Sequence, residues 1–187
     1  MQTPTMFLAL LLLFVSIVHG QKSDCKRYEN KVYRLNVTFP DLDPLYAIVR
    51  LLPNGMFDEL FSIANGNNED EVGANFALSN RVGQYSCDTP RKMYLTGYGF
   101  LYKTEGVEYL KKNGGTVMHD YLFRFSKDRK TLHGKVRFAV YKCGTDPFDG
   151  DNKHVHQGPI GIVTGERIKF RRNYSFDSSE TRESFTD

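Results

Sequence analysis

The segment His119–Cys143 constrains the fold more than any other part of this chain. Two runs that alternate apolar with polar residues flank the polar turn Lys127–Lys130, which is the pattern of a β-hairpin. Gly134 on the second strand of this hairpin would leave room for the ring of Phe123 on the first strand. We assume that Ser126 pairs with Thr131. The facing pairs on the apolar side are then Phe125–Leu132, Phe123–Gly134, Tyr121–Val136, His119–Phe138 and Val117–Val140. On the other side, Asp120 faces Arg137. A slip of one residue would turn charged side chains onto the aromatic face, so this register is well specified.

The rest of the chain also has the pattern of β-strands, and no segment shows a sustained helical period. The predicted strands are Tyr33–Phe39, Leu45–Leu52, Met56–Ile63, Arg81–Cys87, Lys92–Lys103, the two strands of the hairpin, and Gly158–Phe170. Asn54-Gly55 between two apolar runs predicts a second hairpin. If Pro53 pairs with Met56, Arg50 faces Glu59. This pair would lie on the surface or inside a cavity, and the surface is favoured because charged residues are rarely fully buried.

The connections between these strands alternate in length. Short connections are expected at 53–55, 88–91 and 127–130, and longer ones at 39–44, 64–80, 104–116 and 142–157. A meander with one tight end and one mouth fringed by loops has this distribution, whereas a two-sheet sandwich has no reason to sort its loops. We therefore predict an all-β fold, an eight-stranded antiparallel up-and-down β-barrel, whose interior is just wide enough for side chains or one small ligand.

The first 20 residues, Met1–Gly20, have the pattern of a signal peptide with cleavage before Gln21. The apolar run Phe7–Val18 is too short to span a bilayer, and no later stretch is apolar enough, so we predict a secreted protein with no membrane span. The predicted barrel domain covers residues 21–170, and the polar segment 171–187 is expected to be disordered. A formal net charge of +3 is too small to indicate nucleic-acid binding.

With its signal peptide, strand number, loop distribution and the hairpin Leu51–Phe57, the chain resembles the calycin-like barrels over residues 32–170. These include the lipocalins and, more loosely, the allene oxide cyclase and dirigent barrels. The resemblance implies an interior that holds a small ligand. No catalytic residue of the cyclases can be mapped onto this chain, so the catalytic residues, if any, stay unassigned.

The function predicted first is a secreted barrel that binds a small, mostly apolar ligand. Its candidate ligand-binding residues are His119, Tyr121, Phe123, Phe125, Phe138, Gly97 and Gly99. Ordinary core packing would explain the same aromatic residues. A second hypothesis is a cyclase or isomerase with His119 and Tyr121 as acid–base groups, and a third is a protein-interaction module that uses the outward aromatic stripe Tyr94–Tyr102 or the mouth loops.

Other motifs indicate modification rather than cofactors. The sequons Asn36-Val37-Thr38 and Asn173-Tyr174-Ser175 predict N-glycosylation of both asparagines. His154-Val155-His156 lies in a mouth loop near several aspartates, but no third ligand has suitable spacing. We therefore predict no metal and no cofactor, and no oligomeric state follows from the sequence.

Three cysteines follow the predicted signal peptide, namely Cys25, Cys87 and Cys143. Cys25 and Cys87 are expected at the tight end, and Cys143 at the mouth. A strand of about eight residues separates the two ends by roughly 26 Å, which a disulfide cannot bridge. An oxidising compartment favours one disulfide, so we predict Cys25–Cys87 with Cys143 left over.

Overall fold

The computed structural model describes residues 25–40, 43–62, 77–102 and 114–169. The predicted signal peptide, the predicted C-terminal tail and Asn173 lie outside these ranges. Within them, the strands are β1 (Lys31–Thr38), β2 (Leu45–Leu51), β3 (Met56–Phe61), β4 (Arg81–Thr89), β5 (Lys92–Leu101), β6 (Gly115–Phe125), β7 (Thr131–Lys142), β8 (His156–Gln157) and β9 (Gly161–Arg167), with short 3₁₀ helices at Lys26–Tyr28 and Pro53–Gly55. No helix in the described ranges is long and apolar enough to cross a bilayer.

Eight of the strands, β1 to β7 and β9, form a closed antiparallel barrel in sequence order. Closure comes from β9, which pairs with both β1 and β7. The two-residue strand β8, in a segment predicted to be loop, pairs with β7 beyond β9. The predicted last strand, Gly158–Phe170, begins only at Gly161 and ends at Arg167. The connections at 52–55, 90–91 and 126–130 form a tight end, and the strand ends opposite it form the mouth. The predicted up-and-down barrel is therefore confirmed.

The β6–β7 hairpin has the predicted register throughout, including His119 opposite Phe138 and Asp120 opposite Arg137. The reason for glycine at position 134 differs from the expectation. A Cβ at Gly134 would come within 2.0 Å of the carbonyl oxygen of Leu122. The close approach of the neighbouring backbone, rather than the ring of Phe123, therefore requires glycine there.

The β2–β3 hairpin exists as predicted, but its predicted register was wrong by one residue. Arg50 pairs with Asp58, not with Glu59. Proline has no N–H to donate to the ladder, and Pro53 lies in a three-residue turn with Asn54 and Gly55, both at positive φ. A shift of one residue exchanges the two faces of a strand. Asp58 therefore points outward, and Glu59 lies inside the barrel with 1% of its surface exposed.

The tight end of the interior is filled by packed side chains. The ring of Tyr28 lies 4.4 Å from that of Phe125, and its hydroxyl donates to the carbonyl of Pro90 at 2.7 Å. The predicted disulfide joins Cys25 to Cys87 here, with Cα atoms 5.4 Å apart, and Cys143 is free and exposed. The N-terminal segment is thereby fastened across the tight end of the barrel.

We expect replacement of both Cys25 and Cys87 by Ser to lower the free energy of unfolding by about 2–4 kcal/mol, because the crosslink restricts the unfolded chain. Urea unfolding followed by circular dichroism measures this loss. Cys143→Ser is the matched control and should unfold like the wild type, since Cys143 is exposed and unpaired. A Cys87–Cys143 peptide in a non-reducing map would contradict the assignment.

Candidate functional site

Four polar side chains lie together inside the barrel, between its packed tight end and its mouth. They are Glu59 of β3, Arg81 of β4, and His119 and Tyr121 of β6, and we call them the polar cluster. Each is almost completely buried, with 1% of Glu59, 1% of Arg81, 6% of His119 and 2% of Tyr121 exposed. Such residues are rarely buried unless they are paired, so their contacts with one another are the first clue to a role.

Arg81 is the centre of the polar cluster. Its Nη1 lies 2.6 Å from Nε2 of His119, and its Nε lies 3.2 Å from Oε2 of Glu59. The hydroxyl of Tyr121 donates to Oε1 of Glu59 at 2.5 Å. These contacts join three strands of the barrel through one continuous set of polar groups.

The contacts also define the protonation states. A guanidinium can only donate, and Nη1 of Arg81 lies 2.6 Å from Nε2 of His119 and 3.2 Å from Nδ1. The shorter contact favours Nε2 as the acceptor, with the proton on Nδ1. Burial, with a further contribution from Arg81, lowers the pKa of His119 well below its usual value. Burial also raises the pKa of Tyr121, and the neighbouring Glu59 raises it further. Both groups are therefore neutral near pH 7.

Glu59 is held between opposing influences. Burial raises the pKa of its carboxyl above the usual value, and Arg81 and the hydrogen bond from Tyr121 offset only part of this rise. Because Arg81 stays charged in proteins, a protonated Glu59 would leave a buried cation with no counter-ion, which is strongly unfavourable. We therefore assign Glu59 as a carboxylate near neutral pH, so that the polar cluster is an ion pair with two neutral partners.

Glycine makes room for Arg81. A Cβ at Gly99 would come within 2.6 Å of Cγ of Arg81, so the stem of the arginine occupies the space that this glycine leaves. Gly97 likewise makes room for Phe57, because a Cβ at Gly97 would come within 2.8 Å of the Phe57 ring. On the other side, Cζ of Arg81 lies 4.1 Å from the centre of the Phe61 ring, an arrangement that favours a cation.

The other predicted ligand-binding residues also point inward, at different depths. Phe138 lies beside His119, with the ring centres 5.8 Å apart. Phe123 and Phe125 lie deeper, in the packed core. Contact of any of these residues with a ligand stays a prediction.

Three buried polar atoms of the cluster make no hydrogen bond among the described residues: Oε2 of Glu59 and Nε and Nη2 of Arg81. The first two face each other at 3.2 Å in the ion pair, so one donor of the cluster is left over. Nη2 of Arg81 is buried and has no hydrogen-bond partner in the described part of the chain. Most buried polar atoms are hydrogen-bonded, and leaving a donor unpaired costs about 1–3 kcal/mol, or more when the group is charged. This donor is therefore the group of the polar cluster that could still bind an acceptor.

The remaining predicted sites lie elsewhere. Asn36 lies on the outer face of β1 beside a groove of about 540 Å³ lined in part by Tyr46 and Thr164. The histidines and aspartates of the mouth loop form no metal-binding group among the described residues. The stripe predicted for Tyr94–Tyr102 faces outward, with Tyr94, Phe100 and Tyr102 exposed.

Of the four residues in the polar cluster, the alternating pattern of β6 predicted that His119 and Tyr121 point inward, whereas Glu59 and Arg81 were not predicted there. Glu59 was misplaced by the register error in the β2–β3 hairpin. Arg81 was given no orientation, although Gly83, Tyr85 and Cys87 follow it at alternate positions and share its face of β4. That alternation, together with Gly99 on the next strand, was the signal that Arg81 points inward.

We expect Arg81→Met to destabilise the protein by about 3–5 kcal/mol, because it leaves a buried carboxylate without a counter-ion. The double variant Glu59→Gln/Arg81→Met removes both charges and should lose less than the sum of the two single variants. Urea unfolding measures the free energy of unfolding of Arg81→Met, Glu59→Gln and the double variant. Asp58→Asn, which affects only the exposed pair with Arg50, is the control and should change little. Additive losses would contradict the coupling.

Comparison of the chain with protein-family models, with curated proteins and with solved structures yields no match.

Proposed function

We propose that this protein is a secreted barrel that binds a small, mostly apolar ligand at the mouth end of its interior, as the resemblance to calycin-like barrels implies. The observation that carries the proposal is Nη2 of Arg81, which is buried in the polar cluster and makes no hydrogen bond among the described residues. Small-molecule sites have this composition: mostly apolar walls with a few placed polar groups.

The depth of the proposed site follows from packing. The space above Gly97 and Gly99 is filled by Phe57 and Arg81, and the tight end holds the main hydrophobic core. The apolar residues between the polar cluster and the rim are Phe61, Leu101, Val117, Phe138 and Val140. The proposed ligand lies among these residues rather than beside Phe123 and Phe125, and it contacts the polar cluster with its inner end.

Stability alone is a weak explanation for the polar cluster. Replacing a buried ion pair by apolar residues of similar volume is often neutral or stabilising. Glu59 and Arg81 are both fully enclosed, so their desolvation is costly, and the pairing leaves one donor unused. A role in ligand recognition accounts for a charged group that core packing does not require.

We expect the wild-type protein to bind N-phenylnaphthylamine, an uncharged apolar dye that fluoresces in apolar surroundings. Val117→Phe should weaken this binding by about tenfold or more, which corresponds to about 1.4 kcal/mol, because Val117 faces the proposed site and is 3% exposed. Fluorescence titration of both proteins measures the effect.

Val82→Phe is the matched control, because Val82 faces outward and is 54% exposed. It should bind the dye like the wild type. Thermal unfolding of each variant confirms that the barrel is folded before titration. Equal weakening by the two variants, or no binding of the dye by the wild type, would contradict the proposed site.

A further inference from the structure

The polar cluster has no net charge to offer a ligand. Glu59 contributes one negative charge and Arg81 one positive charge, and they lie at ion-pair distance. His119 is neutral because its Nε2 accepts from Arg81, and Tyr121 is a neutral phenol that donates to Glu59. The formal charges therefore cancel inside the barrel.

Oε2 of Glu59 and Nε of Arg81 make no hydrogen bond among the described residues, but they face each other at 3.2 Å in the ion pair. Outside that pair, the hydrogen-bonding groups left over in the cluster are donors. Nη2 of Arg81 is a donor without a partner in the described residues. In the favoured tautomer Nδ1 of His119 carries the proton, and Nη1 of Arg81, 3.2 Å away, is itself a donor and cannot accept it. Both of these nitrogens donate, so the complementary ligand group is a hydrogen-bond acceptor.

Net charge then decides which kind of acceptor fits. A carboxylate or phosphate placed against Arg81 would meet a guanidinium whose charge Glu59 already balances. The buried site would become negative, and an unpaired buried charge is strongly unfavourable. An uncharged oxygen accepts the same hydrogen bond without adding charge.

We propose that the polar end of the ligand is an uncharged acceptor, such as a ketone, ester or ether oxygen, bound to Nη2 of Arg81. This inference rests on the proposed function, since it requires a ligand at the mouth end of the interior. The apolar remainder of the ligand would lie against Phe61 and Phe138, which flank the cluster on the mouth side.

The test uses three competitors of equal chain length: methyl octyl ketone, decane and decanoate. Each competitor is titrated into the protein with bound N-phenylnaphthylamine at about pH 8, where decanoate is ionised, and the loss of dye fluorescence is measured. We expect the ketone to compete at concentrations about tenfold lower than either of the others, as one hydrogen bond to a charged group predicts.

A charge-neutral variant separates the hydrogen bond from general hydrophobicity. Glu59→Gln/Arg81→Met removes the guanidinium donor without leaving a buried charge. The readout is the ratio of ketone to decane affinity within each protein, and we expect this ratio to fall from about ten in the wild type toward one in the variant. Wild-type binding in which decanoate competes best, or in which ketone and decane compete equally, would overturn this inference and leave the proposed function standing. If neither the dye nor any of the three competitors binds, both this inference and the proposed function are overturned.

Discussion

The alternation of side chains along strands of a closed barrel is the constraint on which the rest of this structure depends. Eight strands enclose an interior of fixed width, and every second residue must be accommodated there. The tight end is filled by aromatic and aliphatic residues. Nearer the mouth, the same alternation places Glu59, Arg81, His119 and Tyr121 inside, so the polar cluster is a consequence of strand register and not of a local motif.

The polar cluster exists only because the surrounding residues make space for it. An arginine needs more volume than one barrel position provides, and Gly99 on the neighbouring strand supplies it. Phe61 covers the guanidinium, and Glu59 and His119 contact two of its nitrogens. The barrel thus encloses an ion pair at a considerable desolvation cost, and Nη2 of Arg81 makes no hydrogen bond within the described part of the chain.

Sequence reasoning succeeded where strand pairing depended on local pattern. The β6–β7 register follows from alternation on both sides of one short turn, and the Cys25–Cys87 pairing follows from which end of the barrel each cysteine occupies. The predicted register of the β2–β3 hairpin was wrong because a single residue decided it. Pro53 has no N–H for the ladder, so the pairing is shifted by one residue and Glu59 lies inside the barrel. Arg81 could not be assigned from its own strand alone, since its burial depends on space left by a residue of the adjacent strand. The alternating pattern of one strand does not show how much space the neighbouring strand leaves for its side chains.

The protonation state of His119 tests this account most directly. Two-bond proton–nitrogen NMR spectra of histidine-labelled protein report the tautomer of each ring, and His119→Asn identifies the signals of His119. At about pH 6, below the usual histidine pKa of about 6.5, we expect a neutral ring with the proton on Nδ1 and a bare Nε2 that accepts from Arg81. An imidazolium at that pH, or a proton on Nε2, would contradict the buried, charge-neutral cluster described above.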